Sequence, residues 1–405
     1  MRRVLPAALL VLAGSVTLPA VAATPATADA ADGKCTVGKT SWISDAAANA
    51  NLAETGFADA WRFATGQGVT VAVVDSGVNA KNPHFDGVMV GQKSFVGGSG
   101  LEDQQGHGTA VAGIIRARRL PQKSVLIGAA PNASLLSVRV NVLNNEVKTA
   151  NVAKGIRWAA EQKGVDVINV SISTGPSDPQ LEALRSAVAF AVSRDIVVVA
   201  AAGNKPSGID GPYTQVQYPA GFPGVLGVAA AGPGGGVDNW SIHGRHVDVS
   251  APGANVPTTY HGNGDCLVGL DHPYTSYSTP YVSALAALLR ERFPRDSAAQ
   301  IINRITSTAD RPRLTERDDR EGWGRIQPIA ALTGTSSAPP TKRTSAVPVT
   351  TDAGITPGAA ETDPMEGPRT RLLWWALGAT ALLSVGLVAR PLSARRRRQD
   401  GPRRF

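Results

Sequence analysis

The strongest constraint in this 405-residue chain is a series of short, unbroken apolar runs rich in β-branched residues. The first, residues 69–75, ends in Asp75-Ser76-Gly77, a strand feeding directly into a loop. Residues 134–140, 165–172, 196–202, 225–230 and 247–250 have the same strand character. Helical spacing appears between them. Residues 108–117 and 150–162 carry it, the latter with Val152, Ile156 and Ala159 on one face. So do residues 179–192, with Leu181, Leu184, Ala187 and Ala191 inward. A long apolar helix is predicted over 276–293 and another over 298–306. Strands that are apolar on both faces and alternate with helices predict an α/β fold of three layers, with a mostly parallel sheet between helices. In such sheets a site forms beyond the carboxyl ends of the strands. Residues 31–65 are mixed and polar and read as a surface wrap, and no solenoid repeat is present.

The two ends carry the charge. The net charge is +8, but residues 390–405 hold seven arginines against one aspartate, and Arg2 and Arg3 supply two more charges. The stretch between is therefore neutral overall, which argues against nucleic acid as a partner. Residues 1–30 read as a secretory signal: Arg2 and Arg3, an apolar run, then small residues suited to cleavage; the alternative is an uncleaved anchor. Residues 333–371 are rich in Pro, Thr, Ser and Gly and read as a linker. Residues 372–389 contain no charge. They would span about 27 Å as a helix, enough to cross a bilayer core. Trp374 and Trp375 mark one interface and Arg395 to Arg398 follow the other. That arrangement predicts a single-pass membrane protein with its domain outside and its basic tail, 390–405, in the cytoplasm. Segments 31–60 and 61–332 are then an N-terminal extension and the main domain. Only Cys35 and Cys266 are present, so outside the cytoplasm one intramolecular disulfide is expected, the alternative being two thiols.

Four short segments place chemistry at element ends. Val73-Val74-Asp75-Ser76-Gly77 puts a carboxylate at the end of a strand, and Gly106-His107-Gly108-Thr109 an imidazole at the start of a helix. Ala201-Ala202-Gly203-Asn204 ends another strand on an amide, and Thr275-Ser276 opens the long helix on a hydroxyl. A serine hydroxyl needs a base to act as a nucleophile at neutral pH. His107 suits that role for Ser276, with Asp75 fixing the imidazole. The Asn204 side chain and the Ser276 backbone N–H suit an oxyanion hole, the latter at a helix N-terminus. Each residue alone reads more simply as a turn or cap. The four together, in the order Asp, His, Asn, Ser, are the specific signal.

In that order and in its motifs the chain resembles the subtilisins. Val-Val-Asp-Ser-Gly, Gly-His-Gly-Thr, Val-Ile-Asn-Val-Ser, Ala-Ala-Gly-Asn and Thr-Ser-x-x-x-Pro all match, over about residues 55–330. With its two ends it looks like a mycosin, one of the subtilisin-like proteases associated with type VII secretion in actinobacteria. The resemblance implies a subtilisin-like fold, protein or peptide substrates, and a role in processing secreted proteins and supporting the secretion membrane complex; no cofactor or metal site is read from the residues, since no compact acidic loop stands out. It also implies that Ser171, Ile172, Ser173 and Gly203 border the substrate. Three positions depart from the pattern. Tyr274 and Ser173 stand where glycines are usual and Ser278 where alanine is, and a required positive φ at Tyr274 would cost about 1–2 kcal/mol. A bulky ring there would also narrow the cleft. Pro280 is expected to be tolerated in the first helical turn, whose N–H groups are unpaired anyway. These departures motivate a second reading, a catalytically impaired scaffold that stabilises the secretion complex. A third, a surface-binding protein on a protease fold, has no motif of its own.

Overall fold

The computed structural model describes residues 35, 41–44, 49–142, 147–310 and 316–334. Seven strands form one sheet: β1 Thr70–Asp75, β2 Met89–Ser94, β3 Ser134–Arg139, β4 Val165–Val170, β5 Val197–Ala201, β6 Val225–Ala231 and β7 Val249–Pro252. Their order is β2-β3-β1-β4-β5-β6-β7, and every neighbouring pair is parallel. A separate antiparallel pair joins β8 Val256–Thr259 to β9 Asp265–Val268. The helices are α1 Ala50–Glu54, α2 Phe57–Ala60, α3 His107–Arg116, α4 Thr149–Glu161, α5 Leu181–Ser193, α6 Thr275–Arg292, α7 Ala298–Ser307 and α8 Pro328–Thr333.

Strand alternation divides the apolar residues between two cores. In β1, Val71 and Val73 face a core built with α3, α6 and α7, whereas Ala72 and Val74 face one built with α4 and α5. The three-layer α/β architecture is thus as the sequence pattern predicts. Within the described residues each predicted strand and helix is present, with ends moved by a few residues at most.

Several elements were not legible. β2 is an edge strand whose residues are alternately half-buried and exposed, so it lacks an apolar run. The arms of β8 and β9 are only four residues long, and one contains Pro257. Residues 31–65 do more than wrap the surface: α1 and α2 drive Leu52, Phe57 and Ala60 into the core, with Phe57 wholly buried. The periodicity of such short helices is too brief to read. The signal segment, nearly all of the linker and the predicted transmembrane helix lie outside the described residues. Among the described residues no helix is long and apolar enough to cross a membrane.

Cys35 and Cys266, 231 positions apart in sequence, are joined by a disulfide with Cα atoms 5.3 Å apart. Cys266 sits in β9, where Asp265 acts as a second fastening. Its N–H donates to the Ser41 carbonyl (2.6 Å), while its carboxylate accepts from the Ile43 N–H (3.0 Å) and the Ser124 hydroxyl (2.5 Å). His84 Nε2 lies 2.8 Å from the other oxygen, and both side chains are fully buried. The start of the domain is therefore held against β9. Closing so long a loop is worth about 5 kcal/mol on the chain-entropy account. Cys35→Ser should accordingly lower the melting temperature by about 10–20 °C in a domain of this size. Intact mass after alkylation should show added label only when the protein is first reduced.

Candidate functional site

Because β1, β4 and β5 are neighbours, their carboxyl ends bring Asp75, Ser171 and Asn204 to one edge of the sheet. Helices α3 and α6 start at the same edge with His107 and with Thr275-Ser276. Asp75, His107, Ser171, Ile172, Ser173, Asn204 and Ser276 all line one cleft. Gly203 stands beside it, with φ +96° and with the Gln217 side chain 2.8 Å from where a Cβ would be. Both facts call for glycine. The described residues of the N-terminal extension take no part in the cleft lining.

His107 Nδ1 lies 2.7 Å from Asp75 Oδ1, and both side chains are 2 % exposed. A carboxylate facing Nδ1 draws the proton to that nitrogen, which leaves Nε2 with its lone pair in the neutral ring. Nε2 has no hydrogen-bond partner, and none joins it to the Ser276 hydroxyl. Such contacts are often loose in unliganded sites and tighten around substrate. Burial by itself lowers the pKa of His107; the charge and hydrogen bond of Asp75, with the charge of Asp103, outweigh it and hold the imidazole above its ordinary value of 6.5.

Asp103 is a residue the sequence reading missed. It is 4 % exposed and gathers five donors. Oδ1 accepts from the Ser76 hydroxyl (2.9 Å) and from the N–H groups of Gln105 (3.0 Å) and Gly106 (2.8 Å). Oδ2 accepts from the Thr109 N–H (2.8 Å) and hydroxyl (2.6 Å). The Ser76 hydroxyl in turn accepts from the Gly108 N–H at 2.9 Å. The turn after β1 is thereby sewn to the start of α3. Gly108 approaches so closely that a Cβ would sit 2.1 Å from the Gly77 carbonyl oxygen. The available signal was an aspartate just ahead of a glycine-initiated helix, where an acid can satisfy first-turn N–H groups.

At the start of α6, Asn204 Oδ1 accepts from the Thr275 N–H (3.0 Å) and hydroxyl (3.1 Å). That commits the oxygen and leaves the amide nitrogen as the end offered to the cleft. Ser276 follows as the second helical residue, 6 % exposed. Ser171 belongs to the cleft differently from expectation. Its side chain is buried, and its hydroxyl donates to the Ser276 carbonyl at 2.8 Å. Ile172 and Ser173 continue along the wall, and Thr174 pairs with Tyr218 by two backbone bonds of 2.8 and 2.9 Å.

Tyr274 has φ −101° and ψ 132°, an extended backbone open to any residue, so the positive φ considered for it does not arise. Its N–H donates to the Gly253 carbonyl (3.0 Å) and its hydroxyl to Asp271 (2.9 Å). Its ring meets Trp240 edge-on at 5.9 Å and Tyr277 at 6.0 Å, and it is not part of the cleft lining. Pro280 is also placed differently. Helix α6 begins at Thr275, so Pro280 is its sixth residue, beyond the turn whose N–H groups are free.

A cleft at the carboxyl edge of a parallel sheet, bearing a buried Asp–His pair and a serine at a helix start, defines the class to which the comparisons also lead. The model of the subtilase family matches residues 66–324, and the chain belongs to that family. Among its relatives, Mycosin-1 of Mycobacterium tuberculosis is 36 % identical over 392 residues, covering 84 % of each chain. Subtilisin DY of Bacillus licheniformis is 39 % identical over 245 residues, 60 % of this chain and 84 % of its own. The crystal structure of MycP1 from Mycobacterium smegmatis superposes with a TM-score of 0.63 at 33 % identity, covering 74 % of this chain and 90 % of that one. That of the MycP3 protease from the type VII (ESX-3) secretion system gives 0.62 at 30 %, covering 73 % and 92 %. The chain is thus a subtilisin-type serine protease of mycosin type.

The electrostatics can be checked at Asp103. Proton NMR should place the His107 titration above pH 6.5 and lower in Asp103→Asn. Because the folded state favours the protonated ring, the contribution of His107 to stability is full below pH 6.5 and fades as pH rises through the raised value. Asp103→Ala strands its buried donors and should destabilise the domain by about 3 kcal/mol or more, read by urea unfolding.

Proposed function

We propose that the chain is a working serine endopeptidase in which Ser276 attacks the scissile carbonyl and His107 takes its proton. His107 then returns that proton to the leaving amine, while Asp75 holds the imidazolium that forms in between. The Asn204 amide nitrogen and the Ser276 N–H receive the oxyanion. The observation that carries this reading is the short His107–Asp75 bond with Nε2 left partnerless beside the nucleophile's cleft. The extended backbone of Tyr274 supports this reading over the impaired scaffold, which Ser173 still motivates.

The relatives and the ends of the chain support a setting for this activity. The protease stands outside the cytoplasmic membrane, held by residues 372–389, and cuts proteins exported by a type VII secretion system whose membrane complex it accompanies. An uncharged stretch followed by four consecutive arginines supports the anchor. The mycosin relatives, MycP3 among them as a protease of a type VII system, support the partner.

A fluorophosphonate probe on the folded, mature domain tests the chemistry. Labelling of the parent and none of Ser276→Ala is the expected result, and an unlabelled parent returns the scaffold reading. Asn204→Ala should lower kcat by about 10²–10³, a size known from subtilisin itself, with KM little changed. Since only neutral His107 can act as base, kcat/KM should rise with pH along an acid limb centred above 6.5.

A further inference from the structure

In a regular helix the carbonyl of Ser276 would accept from the N–H of residue 280, which is a proline within α6. Proline has no such donor, and its ring crowds the carbonyl four residues earlier. The carbonyl of the nucleophile's own residue therefore loses its helical partner and is pushed outward. Ser171, just past the end of β4, stands there with its hydroxyl 2.8 Å away.

The directions of the bonds around it follow from chemistry. A carbonyl only accepts, so Ser171 must donate. Its oxygen then accepts from Asn169 Nδ2 at 3.0 Å, and Asn169 Oδ1 accepts from the Ser283 hydroxyl at 2.8 Å. All three side chains are buried, Asn169 and Ser283 completely. Ser283 lies seven residues beyond Ser276, two turns along the same face of the helix. The line thus leaves α6 at Ser283, crosses β4 and returns to α6 at Ser276. Each member is satisfied in one consistent direction, the condition under which a buried polar network rigidifies rather than destabilises.

We propose that Ser171 is a positioning residue for the nucleophile: its hydroxyl replaces the backbone donor that Pro280 lacks and, backed by Asn169 and Ser283, fixes the first turn of α6. The proposal rests on the reading of Ser276 as nucleophile. It also gives the Ser171 side chain a different task from lining the substrate path.

The proline supplies the test. Ser171→Ala should slow fluorophosphonate labelling of Ser276 and kcat on a peptide substrate at least tenfold, with KM within twofold. Pro280→Ala restores a backbone N–H at the position the carbonyl needs, so in the Ser171→Ala background it should recover most of the lost rate. Ser171→Thr keeps the hydroxyl and should keep the rate. Ser283→Ala removes only the far donor and should cost about two- to threefold. Amide hydrogen exchange over residues 275–278 gives a readout independent of chemistry: faster in Ser171→Ala, restored in the double variant. An unlabelled parent would defeat the proposed function, and exchange would still decide this inference. A Ser171→Ala enzyme within twofold of the parent, or a double variant no faster than the single one, would overturn it. If Ser171→Ala does not fold, an unaltered rate and exchange pattern in Ser283→Ala has the same force.

Discussion

Two carboxylates, Asp75 and Asp103, lie almost entirely out of water at one end of the sheet. A buried charge left unpaired costs several kcal/mol, so the chain around them is bound to supply donors. Asp103 receives three backbone N–H groups and two hydroxyls. Asp75 receives the Ser76 N–H at 2.7 Å and the imidazole of His107. Meeting those demands fixes the turn after β1, the first turn of α3 and the orientation of the imidazole together. Catalytic geometry and local stability therefore depend on the same bonds, and neither can be relaxed without the other.

The opposite wall uses no charge. At the start of α6, Asn204 holds the Thr275 N–H and hydroxyl, and Ser171 holds the Ser276 carbonyl. Behind them, the Tyr274 ring meets those of Trp240 and Tyr277 edge to face, and the Tyr277 ring lies 5.5 Å from that of His107. Edge-on aromatic contacts favour a defined packing over a sliding one. A helix start normally leaves four N–H groups unpaired. Here one is taken by Asn204, and that of Ser276 stays at the helix end where negative charge is favoured. In the proposed mechanism the neutral wall binds charge as it develops, whereas the charged wall moves a proton.

Much of this was legible in the sequence because it rests on strand ends and helix starts. Val71 to Val74 announce a strand buried on both sides, so Asp75 has to emerge at its edge. Gly106 and Gly108 bracket His107 at a helix start. What escaped carries no periodic signal and at most a weak positional one. Asp103 acts through loop geometry, and β2 is exposed on alternate residues. Tyr274 was judged from what usually stands there, while its real conformation follows from a backbone bond to Gly253 and a hydroxyl bond to Asp271. For Pro280, the helix start expected at residue 276 and the one observed at Thr275 differ by one residue, and on either count the carbonyl that loses its donor is that of Ser276.

The spacing of the working residues has a consequence for how the protein comes into being. Asp75 and His107 belong to the first third of the chain, Asn204 to the middle, and Ser276 comes last, ten residues after the cysteine that ties down Cys35. Contacts between residues so far apart in sequence form slowly and only when most of the domain is available. A chain that emerges from its N-terminus onward carries an acid and a base with nothing to activate until residue 276 has followed. The Ser276 hydroxyl, its backbone N–H and the clasp at Cys266 all arrive in the same late stretch, after Asn204. On the proposed mechanism, peptide-cutting power is in this way deferred to the end of folding, by chain order alone.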